Sequence, residues 1–366
     1  MTLFDAVIVS VSACYAAVLL WIRAGLRRLD QGFNAEQPTV SVVVAARNEA
    51  VNIPSLIQAF KNQDYPPHLF EVIIVDDESE DETAELLRGE SDARFRWVQT
   101  VNRRLALSPK KNAVDLGIRH ARGEIILLTD ADCRPPSGWI SGLVRLFTPE
   151  TGMVTGFSPC ELPRLRTLSD RLLALDSLAL AAVAAGTAGR NAAATCNGRN
   201  LAYRKSVYRQ VGGFNEIAHF ISGDDDLLLK LVQRTKWRIR YAYDAELIVP
   251  TMRTDSFRQF IRQRLRHASK GFSYSLKKVV ALVLVYGYHV LLFTAPAVGL
   301  TGSTSLPAVL VALSVKASAD FLLLRRFAKH MRRAHYLSVF AVAELLHIPY
   351  VVVFGALGPF LKIKWK

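Results

Sequence analysis

Asp130 and Asp132 end an apolar run, residues 123–133 (GEIILLTDADC), as two carboxylates separated by one residue. The run reads as a buried β-strand that delivers its C-terminal end to solvent, where a bare pair of anions is unstable until something cationic neutralises it. A divalent metal carrying a diphosphate would do so, because Mg²⁺ is held by one or two carboxylates together with phosphate oxygens. An acidic turn after a strand is the plainer reading of this pair taken alone. A second cluster, Gly223-Asp224-Asp225-Asp226, opens the run LLLKLVQR, which reads as an amphipathic helix. Its carboxylates stand at the positive end of the helix dipole, which keeps them ionised and directed outward. Helix capping accounts for one aspartate, and three in succession exceed that need.

The elements that must position these residues alternate. Residues 39–45 (TVSVVVA) are short, β-branched and nearly all apolar, the pattern of a strand covered on both faces of a parallel sheet, and Asn52 with Pro54 starts a helix. Residues 70–75 (FEVIIV) repeat the pattern and end in Asp76-Asp77, after which 79–87 reads helical. Residues 94–99 form a third strand, 111–120 a helix, and 123–128 the strand that leads to Asp130 and Asp132. Such alternation predicts an α/β fold with a doubly wound, mostly parallel sheet, which takes ligands at the carboxyl ends of its strands. Arg47, Asn48 and Glu49 follow the first strand, Asp76, Asp77 and Glu78 the second, and Asp130 and Asp132 the fourth. Turn chemistry explains each group alone; three groups at one edge of one sheet point to a binding site.

The chain has 366 residues, 51% of them hydrophobic, with the apolar residues gathered toward the two ends. Residues 4–22 are long enough to cross a bilayer, with Asp5 near the outer edge and Arg23, Arg27 and Arg28 just beyond. No basic stretch precedes them and no small-residue cleavage site follows, so a retained anchor is expected rather than a signal peptide. Residues 279–300, 306–324 and 336–361 read as three further membrane segments. The arginines after the first segment, with Lys277 and Lys278 before the second, predict a multi-pass inner-membrane protein whose α/β body is cytoplasmic. Lys362, Lys364 and Lys366 break that pattern, so the last segment, with Pro349, Gly355, Gly358 and Pro359, is expected to bend or re-enter. The expected domains are an anchor over 1–27, the α/β body over 38–253, an interface helix over 254–278 and a membrane domain over 279–366.

Residues 164–184, interrupted by Arg171 and Asp176, read as a core or membrane-surface helix rather than another span. Lys316 with Asp320, and Glu344 with His347, are ionisable pairs inside membrane segments, functional candidates that self-pairing along one helix explains equally. The excess of 46 Lys+Arg over 32 Asp+Glu, a formal +14, suits anionic lipid headgroups and phosphorylated ligands. Without a basic run interleaved with aromatics, nucleic acid is not an expected partner. Cys14, Cys133, Cys160 and Cys196 show no metal spacing and read as reduced bystanders.

The order of motifs resembles that of a membrane-anchored family 2 glycosyltransferase with a Rossmann-like GT-A catalytic domain. The residues that carry the resemblance are 42–49 (VVVAARNE), 72–79 (VIIVDDES), 109–118 (PKKNAVDLGI), 127–133 (LLTDADC), 222–230 (SGDDDLLLK) and 263–267 (QRLRH). It implies that Arg47, Glu49, Asp76 and Asp77 line a nucleotide pocket, with one aspartate of the pair accepting from the uracil N–H. It further implies that Lys110 or Lys111, here taken as Lys111, approaches the base or the diphosphate. Asp130 would face the ribose, and Asp132, with Asp130, would ligate Mg²⁺ or Mn²⁺ on the diphosphate. The aspartate cluster would supply the base for a single inverting displacement, with Asp225 favoured and Asp224 second. Residues 254–272 read as a capped amphipathic helix on which Gln263 and Arg266 match the family's QxxR, Arg266 contacting the diphosphate, while His267 replaces the family's tryptophan. Residues 196–203 and Gly212-Gly213-Phe214 resemble its acceptor-side loop.

The implied activity is transfer of a hexosyl or N-acetylhexosaminyl unit from a nucleotide sugar, expected to be UDP-linked, to a membrane lipid. A processive synthase that extrudes a polysaccharide is the alternative. The short membrane domain and His267 favour the lipid, because a growing glycan must be gripped anew after every addition whereas a lipid is held by its tail. An inactive scaffold is disfavoured by two intact carboxylate clusters, and a nucleotidyltransferase would not call for SGDDD followed by QxxR.

Overall fold

The computed structural model describes residues 2–29, 33–101, 107–159, 167–221, 223–252 and 276–358, with the backbone alone at 277 and 278. The chain forms two compact units. One comprises Met1–Ala24, Leu165–Asp176 and Thr254–Lys366, the other Gly25–Arg164 and Ser177–Arg253.

The second unit is built on a seven-stranded sheet of order β3-β2-β1-β4-β6-β5-β7. Its third strand is β1 (Val40–Ala46), whose residues are buried except for a half-buried Ala45, as expected of a strand covered on both faces. On one side β1 pairs in parallel with β2 (Phe70–Asp76), which pairs in parallel with β3 (Phe95–Gln99). On the other side it pairs in parallel with β4 (Ile125–Asp130). β6 (Leu201–Arg204) runs antiparallel to both β4 and β5 (Thr151–Gly156), and β7 (Arg238–Ala242) lies parallel to β5.

The N-terminal helix α1 (Leu3–Gly25) precedes this sheet, and α2 (Ile53–Lys61), α3 (Thr83–Arg88) and α4 (Pro109–His120) make the crossovers among its first four strands. α2 buries Ile53, Leu56, Ile57 and Phe60, one stripe at helical spacing. α4 comes close to the sheet at Gly117, where a Cβ would stand 2.4 Å from Val43 Cγ1 and 3.1 Å from Val75 Cγ2. At the start of α5 (Trp139–Val144), the fully buried Trp139 donates from Nε1 to Asn200 Oδ1 at 3.0 Å. Asn200 Nδ2 then donates to the carbonyls of Phe157 (3.0 Å) and Leu247 (2.9 Å), so one buried amide joins three loops and satisfies their polar groups.

Two boundaries differ from the sequence reading. β4 begins and ends two residues later than expected, so Asp130 is its last residue rather than part of the following turn. The expected helix over 79–87 shortens to α3. Side chains take over the backbone donors before it, with Ser79 N donating to Asp76 Oδ1 (3.1 Å) and Thr83 N to Asp81 Oδ1 (3.0 Å), which favours turns over helix.

Five helices are long and apolar enough to cross a membrane. Four are α1, α9 (Leu276–Leu300), α10 (Leu306–His330) and α11 (Phe340–Leu357), the last preceded by a 3₁₀ segment over Ala334–Val339. The fifth, α6 (Leu168–Ala188), is 56% buried where the others are 6–28% buried. α11 runs unbroken through Pro349 and Gly355. The tail beyond Gly358 lies outside the described residues. Asp5, 1% exposed, accepts from Thr304 Oγ1 (2.7 Å), Ser305 N (2.8 Å) and Thr2 N (2.9 Å), which ties the start of α1 to the start of α10.

The close approach at Gly117 generates a stability prediction. Gly117→Ala places a Cβ against Val43 and is expected to destabilise the protein by about 1–3 kcal/mol, the usual cost of overpacking a core. The double variant Gly117→Ala/Val43→Ala should recover part of that loss. Thermal unfolding of the detergent-purified full chain checks both, and two losses that simply add would show that the close approach is not the cause.

Candidate active site

The parallel register gathers carboxylates at one edge. Asp76 at the end of β2 lies opposite Ala46, and Asp130 at the end of β4 lies opposite Ala45 on the other side of β1. The loops that leave β1 and β2 are clasped together. Asn48 N donates to Ser79 Oγ (3.0 Å), Glu80 N to Asn48 Oδ1 (2.8 Å), Glu49 N to Thr83 Oγ1 (2.8 Å) and Ala50 N to Asp81 Oδ2 (3.1 Å). Asn48 (φ 55°) and Glu78 (φ 57°) are both left-handed, a conformation that asparagine tolerates and glutamate ordinarily avoids. Slight burial opposes the Asp81 charge, but hydrogen bonds from Thr83 and Ala50 prevail and hold its pKa below the ordinary value.

Asp76 is fully buried. Its Oδ1 takes the Ser79 N–H, while Oδ2 has no partner among the described residues. Asp77, 5% exposed, accepts from Thr100 Oγ1 at 3.1 Å. A buried carboxylate oxygen without a donor is costly, and a site of this kind is completed by a ligand N–H or O–H. Arg47, on the same loop edge, is exposed, and Glu49 Oε2 accepts from Asn52 Nδ2 at 2.7 Å.

The Asp130–Asp132 turn has every carbonyl engaged. Asp130 O accepts from Cys133 N (3.1 Å), Ala131 O and Cys133 O accept from Arg134 Nη1 (3.4 and 2.7 Å), and Asp132 O accepts from Met252 N (2.9 Å). Arg134 Nη2 also donates to Asn52 Oδ1 at 3.0 Å, so the guanidinium braces the turn against the β1 loop. Sequence reasoning missed Arg134, and nothing in its spacing marks it. Burial, reinforced by Asp130 and Asp132, pushes the Cys133 thiol up to about 12, so this cysteine stays protonated, in keeping with a bystander. Cys14, Cys133 and Cys196 are all free thiols.

Lys110, the second residue of α4, joins the two carboxylate clusters. Its Nζ stands 2.7 Å from Asp130 Oδ1 and 3.4 Å from Asp224 Oδ2. Desolvation works against its charge, but Asp130 and Asp224, with a smaller share from Asp225, outweigh it and raise the pKa above the ordinary lysine value. Lys111, the lysine preferred from the sequence, does not occupy this place. It is fully buried and donates to the carbonyls of Ile217 and Phe220, both at 2.6 Å, because neighbouring residues on a helix point about 100° apart and the second lysine turns into the fold.

The aspartate cluster also divides its labour. Asp225 is the N-cap of α8 (Asp226–Val232), its Oδ1 accepting from Asp226 N at 2.7 Å and its Oδ2 from Gly198 N at 3.1 Å. Both oxygens thus hold backbone, and the loop resembling an acceptor-side element is pinned to them. Asp224 faces Lys110 instead. Beside it, the buried Tyr203 hydroxyl lacks a partner among the described residues, and burial followed by the Asp224 and Asp115 charges pushes that phenol well above its ordinary value. α8 is less amphipathic than its sequence suggests, since Leu227, Leu228, Leu229, Leu231 and Val232 are all buried.

Among the described residues no three His, Cys, Asp or Glu side chains come together as a cage for a metal. Asp130 and Asp132 offer carboxylate oxygens only, a hard donor set that fits Mg²⁺ or Mn²⁺ shared with phosphate oxygens and not a closed protein site. Gln263, Arg266 and His267 lie outside the described residues.

Comparison with known proteins places this arrangement. Glycosyltransferase AglE of Haloferax volcanii is 29% identical over 212 residues, 57% of this chain and 65% of AglE. A beta-monoglucosyldiacylglycerol synthase of Trichormus variabilis is 32% identical over 125 residues, 34% of this chain and 26% of that protein. The matched parts thus span less than two thirds of either relative. Among solved structures, the mannosyltransferase PcManGT from Pyrobaculum calidifontis, in complex with GDP-Man and Mn²⁺, superposes with a TM-score of 0.59 at 23% identity, covering 94% of this chain and 99% of that one, which shows a shared fold. The expected glycosyltransferase of GT-A-like fold is borne out, under the family number 21 where the motifs resembled family 2. The profile of Glycosyl transferase family 21 matches residues 4–365, nearly the whole chain, and the protein belongs to that family.

Proposed function

We propose that this glycosyltransferase moves a hexose or N-acetylhexosamine from a UDP-sugar to a membrane lipid by a single inverting displacement. The observation that carries the proposal is Lys110, which holds Asp130 from the donor-side turn and Asp224 from the second cluster on one ammonium. A leaving diphosphate and an attacking hydroxyl must be served within a few ångströms of each other, and the two clusters meet at that range.

In this reading the unpartnered Asp76 Oδ2 accepts the imide N–H of uracil, with Asp77, Arg47 and Glu49 completing the nucleotide pocket. Asp132, with Asp130, holds Mg²⁺ or Mn²⁺, which when bound neutralises charge building on the leaving diphosphate. Lys110 adds a fixed positive charge at the same edge, and Arg134 keeps Asp132 in place through the carbonyls on either side of it. Asp224 takes the proton from the acceptor hydroxyl. Asp225, favoured from the sequence, has both oxygens committed to backbone N–H groups and acts as the anchor of the Gly198 loop. Gln263 and Arg266 are assigned to the diphosphate on sequence grounds alone. The lipid acceptor is supported by the chain's own candidate membrane helices and by the monoglucosyldiacylglycerol product in the name of the Trichormus variabilis relative. The basic residues that flank those helices support a cytoplasmic α/β unit.

Two predictions follow the division of roles. Asp132→Asn should abolish transfer at any Mg²⁺ or Mn²⁺ concentration, because an amide is a poor substitute for an anionic ligand on a hard cation. Full activity of the unaltered protein in excess chelator would overturn the metal assignment. Asp224→Asn should lower turnover by about 10²–10⁴ with donor affinity near that of the unaltered protein, the signature of a lost general base. Asp225→Asn should instead lower the thermal midpoint, since an amide cannot accept from both N–H groups. If Asp225→Asn shows the turnover loss and Asp224→Asn does not, the base is Asp225.

A further inference from the structure

The membrane-helix unit contains a polar cluster that the catalytic reading does not use. Lys316, in the middle of α10, is fully buried, and its three ammonium protons are all spent. They go to Asp320 Oδ2 (3.0 Å) on the same helix, and to Glu344 Oε1 (2.5 Å) and His347 Nδ1 (3.3 Å) on α11. The two pairs read from the sequence are therefore one network across two helices. α1 joins it through Tyr15, whose hydroxyl donates to Asp320 Oδ1 at 2.9 Å. α9 contributes His289, fully buried, with its ring edge-on to His347 at 5.1 Å and to Tyr15 at 6.0 Å.

The hydrogen-bond inventory does not close. With Lys316 donating to Nδ1, neutral His347 carries its proton on Nε2 and has a donor to offer. His289 Nδ1 lies 2.8 Å from the Val285 carbonyl, so its proton is there and Nε2 is an acceptor, buried and without a partner among the described residues. The second oxygen of Glu344 is also without a donor among them, as its only contacts run through Oε1. Two carboxyl groups face one ammonium in a setting where an unpaired polar group is expensive. The missing group must donate to Glu344 or His289 and can accept from His347. A hydroxyl does both, whereas an ammonium only donates.

Access and depth fit a lipid. The Asp320 and Glu344 side chains remain 18% and 16% exposed while Lys316 is sealed. Asp320 lies five residues before the basic end of α10 marked by Arg325 and Arg326, about 7.5 Å along a helix. That is the depth at which headgroup gives way to acyl chain.

We propose that Glu344, His347 and His289, fixed in place by Lys316, form a binding subsite for the hydroxyl group of a membrane lipid. This deepens the lipid-acceptor reading and rests on it. It is a holding site, since transfer itself requires the carboxylates of the α/β unit.

The test uses the full chain in detergent, titrated with 1,2-dioleoylglycerol or its 3-O-methyl ether, with bound lipid counted by native mass spectrometry. The unaltered protein should prefer the free hydroxyl by about tenfold or more, the worth of a hydrogen bond to a charged acceptor. Glu344→Gln should bring the ratio toward one. His289→Phe, which keeps an aromatic ring in the packing and removes no charge, should do the same without lowering the thermal midpoint appreciably. Equal binding of the ether by the unaltered protein, as when only water fills the site, overturns the proposal, and so does His289→Phe with an unchanged ratio. Metal-dependent hydrolysis of the nucleotide sugar, measured without lipid on the same samples, separates the two readings. Its absence counts against the catalytic assignment, while a ratio near one with hydrolysis intact counts against the subsite alone.

Discussion

Lys110 and the carboxylates around it are the constraint on which the site depends. Asp130 arrives on a parallel strand and Asp224 on the approach to a helix nearly a hundred residues later, and without a cation between them the two anions would repel. The ammonium offsets that repulsion and holds the two carboxylates within one short span. The transfer proposed here needs that closeness, with one carboxylate near a diphosphate and the other beside the acceptor hydroxyl. Lys110 reaches this point because α4 packs tightly on the sheet, and it packs tightly because residue 117 has no side chain to hold it off Val43 and Val75.

Rigidity is supplied mainly by backbone hydrogen bonds to side chains. Arg134 fixes the carbonyls on either side of Asp132, Asp225 fixes Gly198, and Asn48 joins the loops after β1 and β2. Each of these polar side chains closes a backbone group that a sharp turn leaves open. The left-handed Glu78 and the unpartnered Asp76 oxygen are the exceptions. Both lie at the edge proposed for the nucleotide, where strain and an open acceptor are tolerated because a ligand completes them.

The membrane helices follow the same logic with fewer partners to draw on. Asp5 is satisfied by two donors at the turn before α10 and by Thr2 N just before α1, so its role is local and structural. Lys316 has its donors spent while acceptors around it remain, and that imbalance, rather than the presence of charge, distinguishes a binding subsite from a brace.

Much of this protein was legible in its sequence. Runs such as 39–45 and 70–75 read as buried parallel strands, because apolar β-branched residues without alternation leave no face for water. Three polar groups at strand ends, with long apolar runs near the two chain ends, followed from composition and order. Tertiary structure decided what spacing cannot. Adjacent residues on a helix or turn differ in direction, and only packing sets which of them faces the site. Lys110 rather than Lys111 meets Asp130, and Asp225 spends its oxygens on backbone while Asp224 turns to the ammonium. The same reason joins Lys316 to Glu344: the i+4 pattern showed a pair along one helix, and the neighbouring helix that completes the network has no signature in the sequence around it.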